Sequence, residues 1–458
     1  MKQVLIWMAL MGLIVQVKAQ ERPPELRELI EKSVVNSKQV HKNQLLAEKA
    51  RCDRQNALLS YLPQINAEAG YTHLNEDVML PEDMLTLLTA TQSVLFKQAY
   101  GMTLNAPLPP QYQPQEIPPI QSKDITKASI NGQMVLFSGL KIPYLAKAAS
   151  RQAQMYELLG ENEKNVSTKH LLEAYDQLVV LVKSEDVLKA TSDNLDQQAR
   201  YVKKAVETGL ATSLEMSRIE LARQQLLQKR IELATGRQLV LARIHQLTGV
   251  SFDVLMGINP EWSMVLNDQK QANVESRPDM LALEKAVEAT DFKRKAEFTE
   301  YVPKLVAYGK KEFITDDLSA FDPEWYVGVG LKWKIFDGGK ATRDAKKSKI
   351  DMDIYRASRS EAMDLLQLKF KQEQIALENS RQQLEVAKQK LRTTTQAYDM
   401  SWKQYQNGLI TLREHLESEN DLERAKLEII NAQYQIRVSI YGMYETRGDL
   451  YEQCMNVL

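Results

Sequence analysis

Hydrophobic positions along this chain follow two rhythms, and each rhythm occurs twice. Over Lys141–Thr208 apolar residues return every three or four positions (Leu171, Tyr175, Leu178, Val182, then Leu188, Leu195, Ala199, Val202, Val206), and over Lys340–Asn407 they do so again (Leu384, Ala387, Leu391, Tyr398, Trp402, Tyr405). This spacing keeps one helix face apolar. Each stretch is 68 residues long, which at ~1.5 Å per residue predicts a helix of ~100 Å. Arg27–Tyr61 and Ser213–Leu247 predict helices of 35 residues each, or ~50 Å apiece. Two short helices equal one long one, a length rule that predicts a cylinder whose wall alternates continuous helices with stacked short ones. Glu185, Ser192 and Thr394 interrupt the stripes. So thin a stripe suits helices meeting edge to edge around a wet interior, although an antiparallel coiled coil has the same spacing.

The second rhythm has a period of two. Trp325, Val327, Val329, Leu331, Trp333 and Ile335 point one way, and Tyr326, Gly328, Gly330, Lys332 and Lys334 the other. Ile65, Ala67, Ala69 and Tyr71 alternate with Asn66, Glu68, Gly70 and Thr72. Strands are predicted at about 63–74, 126–137, 303–313 and 325–336. The third is the least regular, because Val306 and Tyr308 occupy the face opposite Leu305 and Ala307. Ten to twelve residues is the length of a membrane-spanning β-strand, and a small sheet half-buried on a soluble core reads similarly.

The halves are copies. Leu136-Phe137-Ser138-Gly139 recurs as Ile335-Phe336-Asp337-Gly338, and Gly209-Leu210-Ala211-Thr212 as Gly408-Leu409-Ile410-Thr411, both at an offset of 199. Tyr61-Leu62-Pro63 recurs as Tyr301-Val302-Pro303 at an offset of 240, so the first half carries 41 extra residues. They fall in Asn75–Lys123, a loop with seven of the chain's fifteen prolines and a short helix predicted near Met84–Phe96. The expected organisation is a first repeat over 20–248 (long helix 141–208, hairpin tip 209–213), an inter-repeat belt segment over 249–277, and a second repeat over 278–458 (long helix 340–407, hairpin tip 408–412).

Both tips read Gly-Leu-x-Thr-x-x-Glu. Gly209 and Gly408 suit the left-handed position that ends a helix. Thr212 and Thr411 suit the start of the next, with Glu215 and Glu414 completing capping boxes. Glu417 lies one turn beyond Glu414 on the same helix face and is not needed for capping. Ahead of the repeats, Met1–Ala19 has a positive start, an apolar run and a small-x-small site, the pattern of a removed signal peptide.

Composition narrows the function. Against 60 acids stand 59 Lys and Arg, which leaves no basic excess for nucleic acid. The five histidines (His41, His73, His170, His245, His415) form no metal-binding pair, and no nucleophile elbow or phosphate loop appears. Asp337-Gly338-Gly339-Lys340 reads as a duplicated turn. No enzyme, cofactor or metal is therefore expected. Cys52 and Cys454 are the only cysteines, and the expected topology holds them too far apart to pair.

Taken in order, the signal peptide, Leu62-Pro63, the Phe-x-Gly strand-to-helix turns at Phe137 and Phe336, the glycine-leucine tips and the duplication resemble the TolC-like outer membrane efflux proteins. The resemblance implies a mainly α fold with a membrane β-barrel. In it a homotrimer, four strands per subunit, builds one 12-stranded barrel in outer-membrane lipid and a helical tunnel through the periplasm. It implies a passive exit duct for an efflux pump or type I secretion system, with a periplasmic adaptor (membrane fusion protein) and an inner-membrane pump as partners. The adaptor would meet tips bearing Gly209, Leu210, Thr212, Gly408, Leu409 and Thr411. Matched position by position, the channel gate falls on Glu414, Glu417, Glu215 and Tyr405. The family's gating arginine and its partner threonine fall on Ile410 and Leu214, and Arg413 stands as the substitute. Trp325, Trp333, Tyr326 and Tyr301 are expected in the interfacial aromatic girdle, with Lys332 and Lys334 in the lumen. The other reading is a periplasmic coiled-coil adaptor or structural protein without a pore. An adaptor needs one hairpin, and this chain has two hairpins and two strand pairs.

Overall fold

The computed structural model describes residues 24–262, 274–315 and 323–458, so the expected signal segment Met1–Ala19 lies outside the described residues. The described residues form two compact units, and each draws on both repeats. One lies within Arg51–Ser150 and Ala289–Ile350, the other within the chain up to Ala50, Arg151–Glu288 and Asp351–Leu458.

In the first unit β1 (Gln64–His73), β2 (Asp124–Phe137), β3 (Lys304–Thr315) and β4 (Trp325–Lys332) form one antiparallel sheet in the order β1-β2-β3-β4. The register aligns Gln64 with Gln133, Gln133 with Tyr308, and Tyr308 with Gly328. One face therefore collects Asn66, Glu68, Ser129, Asn131, Gln133, Lys310 and Glu312, and the other Ile65, Ala67, Ile130, Val327, Val329 and Leu331. The irregular third strand has a packing reason: the Tyr308 ring lies over Gly328 and Gly330, where a Cβ would come within 3.0 and 3.1 Å of it. Tyr308 also meets Tyr326 edge-on, ring centroids 6.3 Å apart. Tyr326 thus belongs to the polar face, which corrects its expected place in an aromatic girdle. Tyr301 lies ahead of β3, outside the ladder, and its hydroxyl donates to Asp337 at 2.8 Å. Trp325 and Val327 on the apolar face remain 63% and 76% exposed.

The fourth strand ends at Lys332 rather than near residue 336. Trp333 Nε1 donates to the Tyr301 carbonyl at 3.0 Å and Lys334 pairs with Glu300 at 3.1 Å, drawing the chain off the ladder. Asp337 then accepts from the amides of Lys340 and Ala341, both at 2.9 Å, and starts the next helix. The proline-rich insertion is built around its own helix, α3 (Glu82–Ala99), with Phe96 4.6 Å from both Tyr100 and Tyr112 and a bridge between Val78 and Gln121.

The helices follow the predicted lengths: α4 (Lys141–Glu207) and α8 (Lys340–Gln406) have 67 residues each, and α5 (Ser213–Thr248) and α9 (Leu412–Arg447) have 36 each. The single helix expected over Arg27–Tyr61 is two, α1 (Leu26–Asn36) and α2 (Lys38–Leu59). Asn36 Nδ2 donates to the carbonyls of Gln246 and Leu247 at 3.1 Å each, while Ser37 turns extended and its hydroxyl accepts from the Val40 amide. Among the described residues no helix is long and apolar enough to cross a membrane.

The core of the helical unit joins Leu29 and Ile30 of α1, Leu171, Leu172 and Leu178 of α4, Leu241 and Ile244 of α5, and Tyr441 of α9. Leu255 of the short helix α6 (Phe252–Met256) and Leu450 and Cys454 of α10 (Leu450–Val457) complete it. Cys454 is buried, Cys52 is exposed, and both are free thiols. Among the described residues of the segment between the repeats is Arg277, 3% exposed, just ahead of α7 (Pro278–Phe298); residues 263–273 of that segment lie outside the described residues. Arg277 donates to the carbonyls of Glu445 and Thr446 and forks onto Asp279 at 2.8 and 2.9 Å. It satisfies the end of α9, whose last carbonyls have no partner within the helix. Replacing Arg277 with Ala strands the Thr446 carbonyl, while Glu445 O keeps its bond from the Gly448 amide at 3.0 Å, and is expected to cost about 2 kcal/mol. A thermal or denaturant melt should show a clearly lowered midpoint, and an unchanged midpoint would remove Arg277 from this role.

Candidate functional site at the helical tips

Both long helices end the same way. Gly209 and Gly408 take φ of 76° and 72°, and the residues at and after them bond back into the last turn. Leu210 N donates to Ala205 O at 2.7 Å and Leu409 N to Gln404 O at 2.9 Å. These bonds satisfy carbonyls that a helix end would leave open and turn Leu210 and Leu409 outward, 85% and 73% exposed.

Beyond the turns the two tips part. In the second tip the capping box forms as expected: the Thr411 amide and hydroxyl donate to Glu414 Oε2 at 2.7 and 2.9 Å, and Thr411 Oγ1 accepts from the Glu414 amide. The Thr411 backbone and hydroxyl hold Glu414 below the ordinary carboxylate value. In the first tip no side chain caps the helix, and the box expected of Thr212 and Glu215 is absent. Glu215 is engaged elsewhere, because Tyr405 Oη of α8 donates to its Oε2 at 3.0 Å. Burial first, and this bond second, raise the Tyr405 pKa.

The structure thus brings Tyr405 and Glu215 together and leaves Glu414 and Glu417 exposed on the turn-proximal face of α9. Glu417 is paired with Arg413 of its own helix at 2.9 Å, both side chains exposed. Ile410, at the position of the family's arginine, packs against the apolar cluster of Val202, Ile219, Tyr405 and Leu412, while Leu214 is 58% exposed.

Behind the tip lies a group that the sequence reading passed over. His415 is fully buried, its ring 4.9 Å from Trp402, 5.3 Å from Tyr398 and parallel to Tyr405 at 6.3 Å. Ser401 donates its hydroxyl to the Tyr398 carbonyl at 2.9 Å, so its oxygen accepts from His415 Nδ1 at 2.8 Å. That fixes the tautomer and leaves the Nε2 lone pair without a partner among the described residues. Burial holds the imidazole down to about 4. Next along the same face, Glu419 accepts from Gln198 Nε2 at 3.0 Å and Glu423 pairs with Lys229. Glu419 is raised by burial. Positions 415, 419 and 423 follow one another at a single helical turn, and that spacing of polar residues among apolar ones was the available signal.

Folding favours neutral His415, so its contribution is complete above pH 6.5 and is lost as pH falls toward 4, a loss of up to about 3 kcal/mol. Glu419 acts oppositely, since its raised pKa makes acidification favour the fold. The melting midpoint of wild type should therefore drop between pH 7 and 4.5, drop further in E419Q and drop least in H415Q. Equal slopes in wild type and H415Q would refute the assignment.

Comparisons with known proteins bear on this arrangement. Residues 271–445 match the family model described as outer membrane efflux protein. No curated protein sequence matches the chain. Among solved structures, the outer membrane protein VceC from Vibrio cholerae is 15% identical with a TM-score of 0.70, covering 92% of this chain and 96% of its own. The CmeC outer membrane channel of Campylobacter jejuni is also 15% identical with a TM-score of 0.70, covering 92% and 85%. The MtrE outer membrane channel of Neisseria gonorrhoeae, in its open state, is 13% identical with a TM-score of 0.67, covering 93% and 89%. These likenesses extend the shared fold over nearly the whole chain.

Proposed function

We infer that this chain, a TolC-like outer membrane efflux protein by its family match over residues 271–445 and by its fold, is an outer-membrane exit duct for an efflux pump or type I secretion system. The observation that carries the reading is a sheet apolar on one face and polar on the other, with β1 and β4 each paired on one side only. Seven residues or fewer separate the ends of β2 and β4 from helices of 67 residues. Three copies of four strands close a barrel that lipid can surround, because closure leaves no backbone group unpaired in hydrocarbon. The helices carry the passage on into the periplasm.

The duct has no energy source of its own. A periplasmic adaptor docks on the tips through Leu210 and Leu409, whose exposure leaves apolar side chains free for a partner, and an inner-membrane pump drives the cargo. In the closed state the Tyr405–Glu215 bond ties α8 to α5 within a subunit. Glu414 and Glu417 from three copies form carboxylate rings at the periplasmic aperture. The adaptor reading is not favoured, since a pore-free coiled coil gives no account of the one-sided apolar sheet.

The test is reconstitution. The protein should require detergent for extraction, run as a trimer and form cation-selective pores in planar bilayers. Solubility in buffer alone as a monomer would refute the duct. In the same assay E414Q/E417Q should lower cation selectivity and weaken block by divalent cations, and unchanged values would take both residues out of the aperture. Y405F should raise the open fraction, with a coupling to E215Q of about 1 kcal/mol in a double-mutant cycle. Strict additivity would show that the bond does not hold the tip.

A further inference from the structure

On the polar face of the sheet, where β2 gives way to α4, is a cavity of about 330 Å3 whose charge is out of balance. Lys141, Lys304, Lys332 and Lys334 line it, and Glu300 is its one acid. Lys141 and Lys304 reach Glu300 Oε2 at 2.8 and 3.0 Å, and Lys334 reaches Oε1 at 3.1 Å. One carboxylate thus serves three ammonium groups, and Lys332 has no hydrogen-bond or ion-pair partner among the described residues. Lys304 and Lys332 also stand directly opposite in the ladder between β3 and β4. Like charges in that position destabilise a sheet, and nothing in the local fold requires them there.

The opposite wall is apolar: Ile142 is buried, and Val135 and Val306 are half-buried. A neighbouring groove, which Lys141 and Lys334 also line, holds Glu297, Asp337 and Asp344; Glu297 accepts from the Ser348 hydroxyl, Asp337 from the start of α8, and Asp344 pairs with Lys347 at 3.3 Å, so their charge lies beside the cavity and not in direct ion pairs with its lysines. The surrounding lysines, Lys141 foremost, hold Glu300 down to about 2. The carboxylate therefore stays ionised at neutral pH.

We propose that this cavity is a binding site for a small amphiphilic organic anion, its carboxylate, sulfonate or phosphate on Lys304, Lys332 and Lys334 and its apolar body against Val135, Val306 and Ile142. The volume lies within the range of small-molecule sites, which combine apolar walls with a few placed polar groups. An entering anion relieves the repulsion between the facing lysines, so the fold is prepared for it. That the polar face lines a lumen rests on the duct reading. There, three copies of the site put a ring of anion-attracting pockets at the base of the barrel, opposite in sign to the aperture acids, and this marks anionic compounds as a class of cargo that pauses on its way out.

Equilibrium dialysis tests the site, using trimer in an uncharged maltoside detergent, protein-free micelles as the blank and naphthalene-1-sulfonate as the probe. Saturable binding is expected with one site per chain, weakened about tenfold in K332Q and more in K332E, where the ion facing Lys304 is reversed. Inorganic sulfate should bind about tenfold more weakly for want of the apolar wall, and 1-naphthylmethylammonium not at all. Binding equal to that of the micelle blank, or equal affinities in wild type and K332E, would overturn the proposal. Pore formation without probe binding would refute the site and leave the duct standing. Probe binding without pores would uphold the site and refute the duct.

Discussion

A sheet of four strands with two unpaired edges and one apolar face cannot be a finished structure, and the rest of the molecule depends on how that deficit is met. The backbone groups along β1 and β4 need partners, and in lipid no water can supply them. A single copy cannot curl four strands into a closed barrel wide enough to hold a passage. Copies of the same chain can, because β1 and β4 run antiparallel to one another across three intervening ladders and a neighbour's edge continues the alternation. In the proposed barrel the exposed Trp325, Val327, Val329 and Leu331 would meet hydrocarbon, where their exposure costs nothing.

The helical unit resolves a different difficulty. Helices of 67 residues cannot be stabilised by a single globular core, and the buried residues gather instead in separate clusters along their length. Buried polar contacts add to this apolar packing: within the main cluster Asp176 receives both Arg437 Nε and Tyr441 Oη at 2.6 Å, and Arg277 closes the end of α9. Near the tip the polar contacts are Tyr405 on Glu215 and Ser401 on His415, whose Nε2 is left without a partner among the described residues, and a buried network satisfied only in part is sensitive to small changes in charge or contact.

Much of this was legible in the sequence, because the features that specify it are local and repeated. The 199-residue offset located both long helices to within a residue and both tips correctly. The strand faces were legible from alternation. What escaped depends on contacts between segments distant in sequence. The break at Ser37 follows from Asn36 reaching the end of α5, and the early end of β4 from Glu300 and Tyr301 drawing on Lys334 and Trp333. The unequal tips follow from Tyr405 taking a glutamate whose sequence context, Thr-x-x-Glu, is the same as that of its capping counterpart. The lysine pocket was half legible: alternation put Lys332 on the polar strand face, but the ladder that sets Lys304 opposite Lys332 was not readable.

Pairing of β1 in one copy with β4 in another is measured directly by disulfide trapping. Single cysteines along Gln64–His73 and along Trp325–Lys332, combined pairwise in a C52S/C454S background, should give oxidation-dependent dimers and trimers on denaturing gels for a periodic subset of pairs, and the register of that subset should give the stagger of the closed barrel. A set that yields only monomers at every combination, from protein extracted out of the membrane in folded form, would contradict the account.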